Sequence, residues 1–320
     1  MSWQTDNPKN YATEYLRELD QVFPYVLNFG ALYATPNNGR YRWVNGKTIE
    51  IPSVTTTGRI NGDRDSVSFA SRNYSNNWQT KTLTNERKWS TLVHPMDIDQ
   101  TNMVASIGNI TRTFNEEHKF PEMDAYLISK LYADWTTSIA GDTAHGAYVG
   151  KTADTTILTA DNILSVFDQL MLNMDEKRVP VQGRILYVTY PVKSLLKKAS
   201  GLTRNWDVQN VSAHGINRVV ESLDGVQIIG VPAELMKTLY NFTEDWAPAV
   251  NAAQINMFLV HPMAVITPHS YSFAQLDAPS AMSEGKWTYY EESFEDAFIL
   301  NNKADALQFN VTEGSSTTTN

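Results

Sequence analysis

The chain has 320 residues, and at about 150 residues per domain that length suits one large domain or two intertwined ones. Asp and Glu (35) outnumber Lys and Arg (26), a net charge of −9, which argues against a chain-wide grip on nucleic-acid phosphates. Cysteine is absent, which excludes disulfides, Cys-ligated zinc, iron–sulfur clusters and thiol nucleophiles.

Residues 1–20 are polar and carry acids, unlike a secretory signal. No apolar run reaches the roughly 20 residues of a membrane helix, so a soluble protein that stays where it is made is expected. The 26 Asn and 31 Thr favour turns and strands over helix interiors, so short strands and long loops should dominate.

Residues 11–26 read as a short helix with Tyr15, Leu19, Val22 and Val26 on one face, disturbed by Pro24. Residues 34–39 form a dense turn cluster. Tyr41–Val44 and Lys47–Ile51 read as a hairpin about Asn45-Gly46, a pair that favours positive φ at both turn positions. Residues 58–77 are polar and cannot build a core. A strand-like pattern resumes over 78–93. Residues 41–92 therefore form a long β-arm that needs support from elsewhere.

Residues 120–139 read as a helix, with Pro121 at its first turn and Met123, Leu127, Leu131, Trp135 and Ile139 every four residues. Residues 141–154 are a loop. A second helix spans 159–178 with Thr159 as cap; its stripe is Ile163, Leu164, Phe167, Leu170, Met171 and Met174. A strand at 184–189, a helix opened by Pro191, and strands at 226–229 (stopped by Gly230 and Pro232) and 257–260 give a layered α/β unit. Residues 287–298 alternate aromatics with acids. A terminal strand covers 305–311, and residues 314–320 are expected to be disordered.

Chemical motifs are sparse. None of His94, His118, His145, His214, His261 and His269 lies at helical i,i+3 or i,i+4 spacing from another, so structural roles are expected and no metal site. Glu291, Glu292, Glu295 and Asp296 cluster in sequence. Paired carboxylates there would suit a hydrolase, but a solvated face or inter-subunit salt bridges are favoured because no calcium-loop pattern or His partner accompanies them. Gly150-Lys151-Thr152 lacks the upstream glycine of a phosphate loop and is read as chance. No catalytic residue and no cofactor is expected. The arm carries Trp43, Lys47, Arg72, Trp78, Lys81, Arg87, Lys88 and Trp89. This mixture suits stacking on single-stranded nucleic acid or anchoring of protein contacts; the missing core and the acidic chain favour protein contacts, so these eight are candidate inter-subunit residues.

Several segments, in one order over about 30–311, carry a family resemblance: Lys47-Thr48-Ile49-Glu50-Ile51-Pro52, then 82–87 with His94–Thr101, Phe120–Tyr126, Leu223–Val226 with Val231-Pro232, Asn256–Pro262 and Asp296–Lys303. Together they resemble a major capsid protein of tailed bacteriophages with the Hong Kong 97-like fold. Gln100 departs from that pattern where related chains carry an acid. The resemblance implies an α+β fold with five parts: an N-terminal arm (1–40), an extended β-hairpin loop (41–92), a peripheral domain (93–158 and 263–313), an axial α/β domain (159–262) and a disordered tail (314–320). Met123, Leu127, Leu131 and Trp135 would then form the core face of a long spine helix.

It further implies self-assembly through pentamers and hexamers into an icosahedral shell around double-stranded DNA. Contact with the DNA would be weak and non-specific, and no membrane would be involved. The protein would reside in the virion, and in the host cytoplasm during assembly. Partners would be a portal protein, possible decoration proteins and, because only about 40 residues precede the loop, a separate scaffolding protein. Some relatives crosslink a loop lysine to a neighbour's asparagine, which makes Lys47, Lys81 and Lys88 candidates by location; non-covalent assembly is the expectation. The alternatives are an encapsulin-like shell around an enzyme cargo and the hydrolase built on Glu291–Asp296.

Overall fold

A computed structural model describes residues 25–59, 61, 72–100, 106–138, 149–199, 221–243 and 245–312, with backbone alone at 99 and 100. The expected helix at 11–26 lies outside these residues except for Tyr25 and Val26, which are not helical; the tail at 314–320, His145 and His214 also lie outside them.

In chain order, α1 (Gly30–Tyr33) and a 3-10 turn (Pro36–Gly39) precede β1 (Arg42–Asn45), β2 (Thr48–Thr56), β3 (Tyr74–Thr82) and β4 (Glu86–Val93). Next come α2 (Pro95–Gln100), α3 (Ile107–Phe114), a π-helical segment (Asn115–Lys119), α4 (Phe120–Thr136) and α5 (Ile163–Asp175). β5 (Ile185–Thr189), α6 (Tyr190–Leu196), β6 (Ser222–Leu223), β7 (Val226–Val231), β8 (Tyr240–Asn241) and β9 (Ala247–Pro248) follow. The chain finishes with β10 (Gln254–Val260), β11 (Val265–Ile266), β12 (His269–Asp277), β13 (Trp287–Glu295), β14 (Phe298–Ile299), a 3-10 segment (Asn301–Ala306) and β15 (Leu307–Thr312).

Two compact units result. One holds Asn85–Met123 and His269–Phe294; the other holds Asn28–Thr84, Asp124–Pro268 and the chain from Glu295. The larger unit is built on a five-stranded sheet of order β15-β10-β5-β7-β6, in which β5 and β7 run parallel. Alternation along β5 explains its two layers. Leu186 and Val188 pack with Phe167, Leu170 and Met174 of α5. Tyr187, between them, turns to the opposite face, where Phe29, Phe258, Phe309 and Trp135 form a chain of ring contacts at 4.5–5.9 Å. Full burial of each such side chain contributes about 1.5–3 kcal/mol. The α/β layering expected from 159–262 is present, and β15 extends its sheet.

Some local expectations need correction. The second helix begins at Ile163, because Thr159 and Asn162 cap each other before it: Thr159 N donates to Asn162 Oδ1 and Asn162 N to Thr159 Oγ1. β7 runs through Gly230 to Val231, paired with Val188 and Thr189 of β5, and residue 230 is glycine because a Cβ there would stand 2.9 Å from the Tyr190 ring of α6. The Asn45-Gly46 turn uses no positive φ; the Asn45 side chain accepts from Lys47 N at 2.9 Å instead. The left-handed pair occurs at Asp224-Gly225 (φ 50° and 78°), which joins β6 to β7. Helical structure does not begin at Phe120 either: it runs on from Ile107, whose Ser106 cap accepts from Asn109 N. The π-helical turn sits just before Pro121, where the ring would otherwise crowd the carbonyl of Glu117.

The smaller unit carries a three-stranded sheet of order β12-β13-β4. β13 and β4 pair antiparallel from Trp287↔Val93 to Phe294↔Glu86. Trp89 of β4 stacks on Phe114 of α3, with ring centroids 3.9 Å apart and planes within 7°.

Candidate assembly surface

The arm is a three-stranded antiparallel sheet, β1-β2-β3, whose long pairing runs from Thr48↔Thr82 to Thr56↔Tyr74. Its root is anchored in the larger unit. Ile49 and Leu83 are buried there, Gln79 Oε1 accepts from Asn301 N, and Lys81 Nζ donates to Asn301 Oδ1 at 2.9 Å. Among the described residues its other faces carry partly exposed aromatic and apolar side chains. Trp43 is 37% exposed, Trp78 41%, Tyr74 57% and Val54 62%. The Arg42 guanidinium lies 5.0 Å over the Trp78 ring and bonds Glu50, while Arg72 lies 4.9 Å over Tyr74. Such cation–π pairs hold aromatic faces in place without burying them.

The eight candidate contact residues divide into two groups. Trp43, Trp78 and Lys81 lie on the arm's strands, Lys47 at its first turn and Arg72 two residues before β3. Arg87, Lys88 and Trp89 lie on β4, in the sheet of the smaller unit. Arg87 forms an ion pair with Glu122, Lys88 stands opposite Glu292, and Trp89 is held between Phe114 and Tyr289. β3 and β4 are separate strands because the chain is pinned between them: Thr84 donates from N (2.8 Å) and Oγ1 (3.1 Å) to Asp296. Of the proposed helix core, Leu127, Leu131 and Trp135 are buried, and Trp135 Nε1 donates to Ala304 O; Met123 is half-buried.

Glu291, Glu292 and Asp296 of the acidic segment make separate contacts. Glu291 bonds Lys119 and Tyr289, both in its own chain, and Glu292 accepts from Tyr290. Asp296 is not on a solvated face: it is 4% exposed and accepts from Thr84, from Tyr126 Oη (2.8 Å) and from Ala297 N (2.8 Å). Burial first, then Asp296, raises the Tyr126 phenol far above its ordinary range and keeps it a donor. Asp124, fully buried, receives Asn28 N and Phe29 N and so fastens the described start of this unit to α4. Sequence reading misses both anchors: nothing local marks Asp124 for burial, and Asp296 reads with its acidic neighbours as a solvated face.

Two of the described histidines make local backbone contacts. His94 and His261 each begin a His-Pro-Met segment, and each Nδ1 accepts from the methionine N–H two residues on. Gly150 is needed because a Cβ there would meet Thr136 O at 2.0 Å, and Lys151 pairs with Asp305. Among the described residues no group of three His, Asp or Glu is placed to hold a metal ion, and no helix is long and apolar enough to cross a membrane.

Comparison with solved structures bears on the fold. The chain matches the mature capsid of bacteriophage PhiM1 with a TM-score of 0.66 at 14% identity, over 93% of this chain and 90% of that one. It matches the capsid of cyanophage P-SCSP1u at 0.64 and 12% identity (96% and 94% covered). It matches the capsid of Helicobacter pylori bacteriophage KHP30 at 0.60 and 11% identity (98% of each). The chain has the fold of bacteriophage capsid subunits. No family model matches the sequence, and no curated protein matches it. Among the described residues the arm keeps aromatic side chains exposed, while Asp124 and Asp296 anchor distant parts of the chain.

Proposed function

We propose that this chain is the major capsid protein of a tailed bacteriophage, building an icosahedral shell around double-stranded DNA from pentamers and hexamers. The observation that carries the reading is a capsid fold matched over more than nine-tenths of both chains, as with KHP30 (98% of each), in a molecule whose arm, among the described residues, leaves Trp43, Tyr74 and Trp78 partly exposed. An arm of this kind needs a neighbour, and many modest contacts repeated around a closed shell give large total stability.

The reading divides the chain in the Hong Kong 97-like manner: N-terminal arm 1–40, extended loop 41–92, peripheral domain 93–158 with 263–313, axial domain 159–262. The exposed strands at 42–82 support the second part, and the sheet around β5 supports the last. The helix bearing Leu127, Leu131 and Trp135 takes the spine position. A portal and a scaffolding protein are the expected partners, the shell is the expected location, and no enzymatic step is assigned. Lys81, already engaged with Asn301 of its own chain, favours non-covalent assembly.

Negative-stain electron microscopy of the purified chain, made with and without the products of neighbouring genes, tests this. Hollow shells or free pentamers and hexamers are expected; a monomer or dimer under every condition refutes it. Trp43→Ser with Trp78→Ser should abolish assembly; because the rings are only 37% and 41% exposed, a loss of about 1–3 kcal/mol in the free subunit is expected alongside, and circular dichroism of the free variant should show that it still folds.

A further inference from the structure

In the larger unit, a half-open cavity of about 290 Å³ lies between the root of the arm and the 3-10 segment Asn301–Ala306. Its charged lining consists of Arg40 and Lys303, and no carboxylate lines it. Arg42, Arg87, Lys119 and Lys151 each pair with an acid, and the chain has nine more acids than bases, yet no acid faces Arg40 and Lys303 in this cavity. Among the described residues the Arg40 guanidinium has no hydrogen-bonding or ionic partner, and Lys303 Nζ donates only to the carbonyl of Met263 at 3.1 Å. Burial, and then the neighbouring Arg40, push the Lys303 amine below its ordinary value. Two cations that repel each other across a recess leave a charge for an incoming anion to satisfy.

The rest of the lining indicates what that anion is attached to. Ile51, Pro52, Ile266 and Leu300 supply apolar wall, which suits the methylene stem of an acidic side chain. Duplex phosphates suit the site less: Lys303 is recessed, and an acidic chain repels polyanions over distance. We infer that this cavity receives an Asp or Glu side chain from a second copy of the chain, held by Arg40 at the mouth and Lys303 inside. The inference rests on the shell-forming reading and names one contact within it.

Zero-length carbodiimide coupling tests it. Equal amounts of ¹⁵N-labelled and unlabelled chain are assembled together, treated, digested and analysed by mass spectrometry. Lys303 should appear joined to an Asp or Glu peptide in heavy–light pairs. The Lys119–Glu291 and Lys151–Asp305 pairs, at 3.0 and 2.7 Å, should couple within one copy and serve as internal controls. Control couplings without any Lys303 heavy–light product overturn the inference, whether or not shells form. Lys303 heavy–light product without shells supports the contact and counts against the shell. In a second arm, Arg40→Gln with Lys303→Gln should raise the subunit concentration needed for association by about tenfold, with an unchanged melting temperature of the free subunit. Lys303→Arg should restore it; equal association of the double variant and the parent refutes the assignment.

Discussion

Replacing Asp296 by alanine should destabilise the unassembled chain by about 4 kcal/mol. The figure follows from what its carboxylate accepts. Tyr126 Oη and Ala297 N are held in the interior at 2.8 Å each, and a buried donor left without an acceptor costs about 1–3 kcal/mol. Thr84 is exposed, so its N–H and hydroxyl turn to water and add less. The midpoint of thermal unfolding should fall by about 10 °C, using roughly 2–4 °C per kcal/mol for a large domain. Asp296→Asn keeps one acceptor oxygen and should cost about 1–2 kcal/mol. The decisive comparison is a cycle with Tyr126→Phe. Once the phenol is gone, Asp296→Ala no longer strands it and should cost roughly half as much. Urea unfolding followed by circular dichroism measures all four proteins. A loss below about 1 kcal/mol for Asp296→Ala, or strictly additive losses, would refute the claim that this carboxylate holds the Thr84 strand break and α4 together.

Three further outcomes follow from the same geometry. Arg184 is 1% exposed and its guanidinium bonds Asp175 Oδ1 (2.6 Å) and the carbonyls of Val179 and Pro180, so Arg184→Met should cost about 3 kcal/mol in urea unfolding by freeing those acceptors at the end of α5. His261 is held below its ordinary value of 6.5 chiefly by burial, so the unfolded chain takes up this proton first as pH falls. Its contribution is therefore intact above 6.5 and lost progressively as pH falls below 6.5 toward the depressed folded value, and His261→Asn should remove this component from a stability profile between pH 7.5 and 5.5. Denaturing electrophoresis of assembled particles should give one band at 36.0 kDa; a ladder above it would show that lysines such as Lys81 or Lys47 are covalently joined to neighbours.

Much of the fold was legible in the pattern of residues, and the reasons are local. The four-residue spacing of Leu127, Leu131 and Trp135 requires a helix with one apolar face. Unbroken apolar runs such as Ile185–Val188 and Met257–Val260 require strands covered on both sides. Fold class followed from their order, and the lack of a core in the arm pointed to contact with something else. Tertiary structure alone decided the rest. Whether Trp78 and Trp89 share one arm depended on Asp296, more than two hundred residues downstream of Thr84, drawing the chain into a break between β3 and β4. Whether the acids at 291–296 act together or separately depended on Lys119 meeting Glu291 on β13 and Tyr126 meeting Asp296 just past its end. Arg40 and Lys303, 263 positions apart in the sequence, become a pair only when the arm's root closes over the last 3-10 segment. Backbone propensity acts over a few residues and can be read along the chain; burial and charge pairing are set by distant segments and exist only after folding.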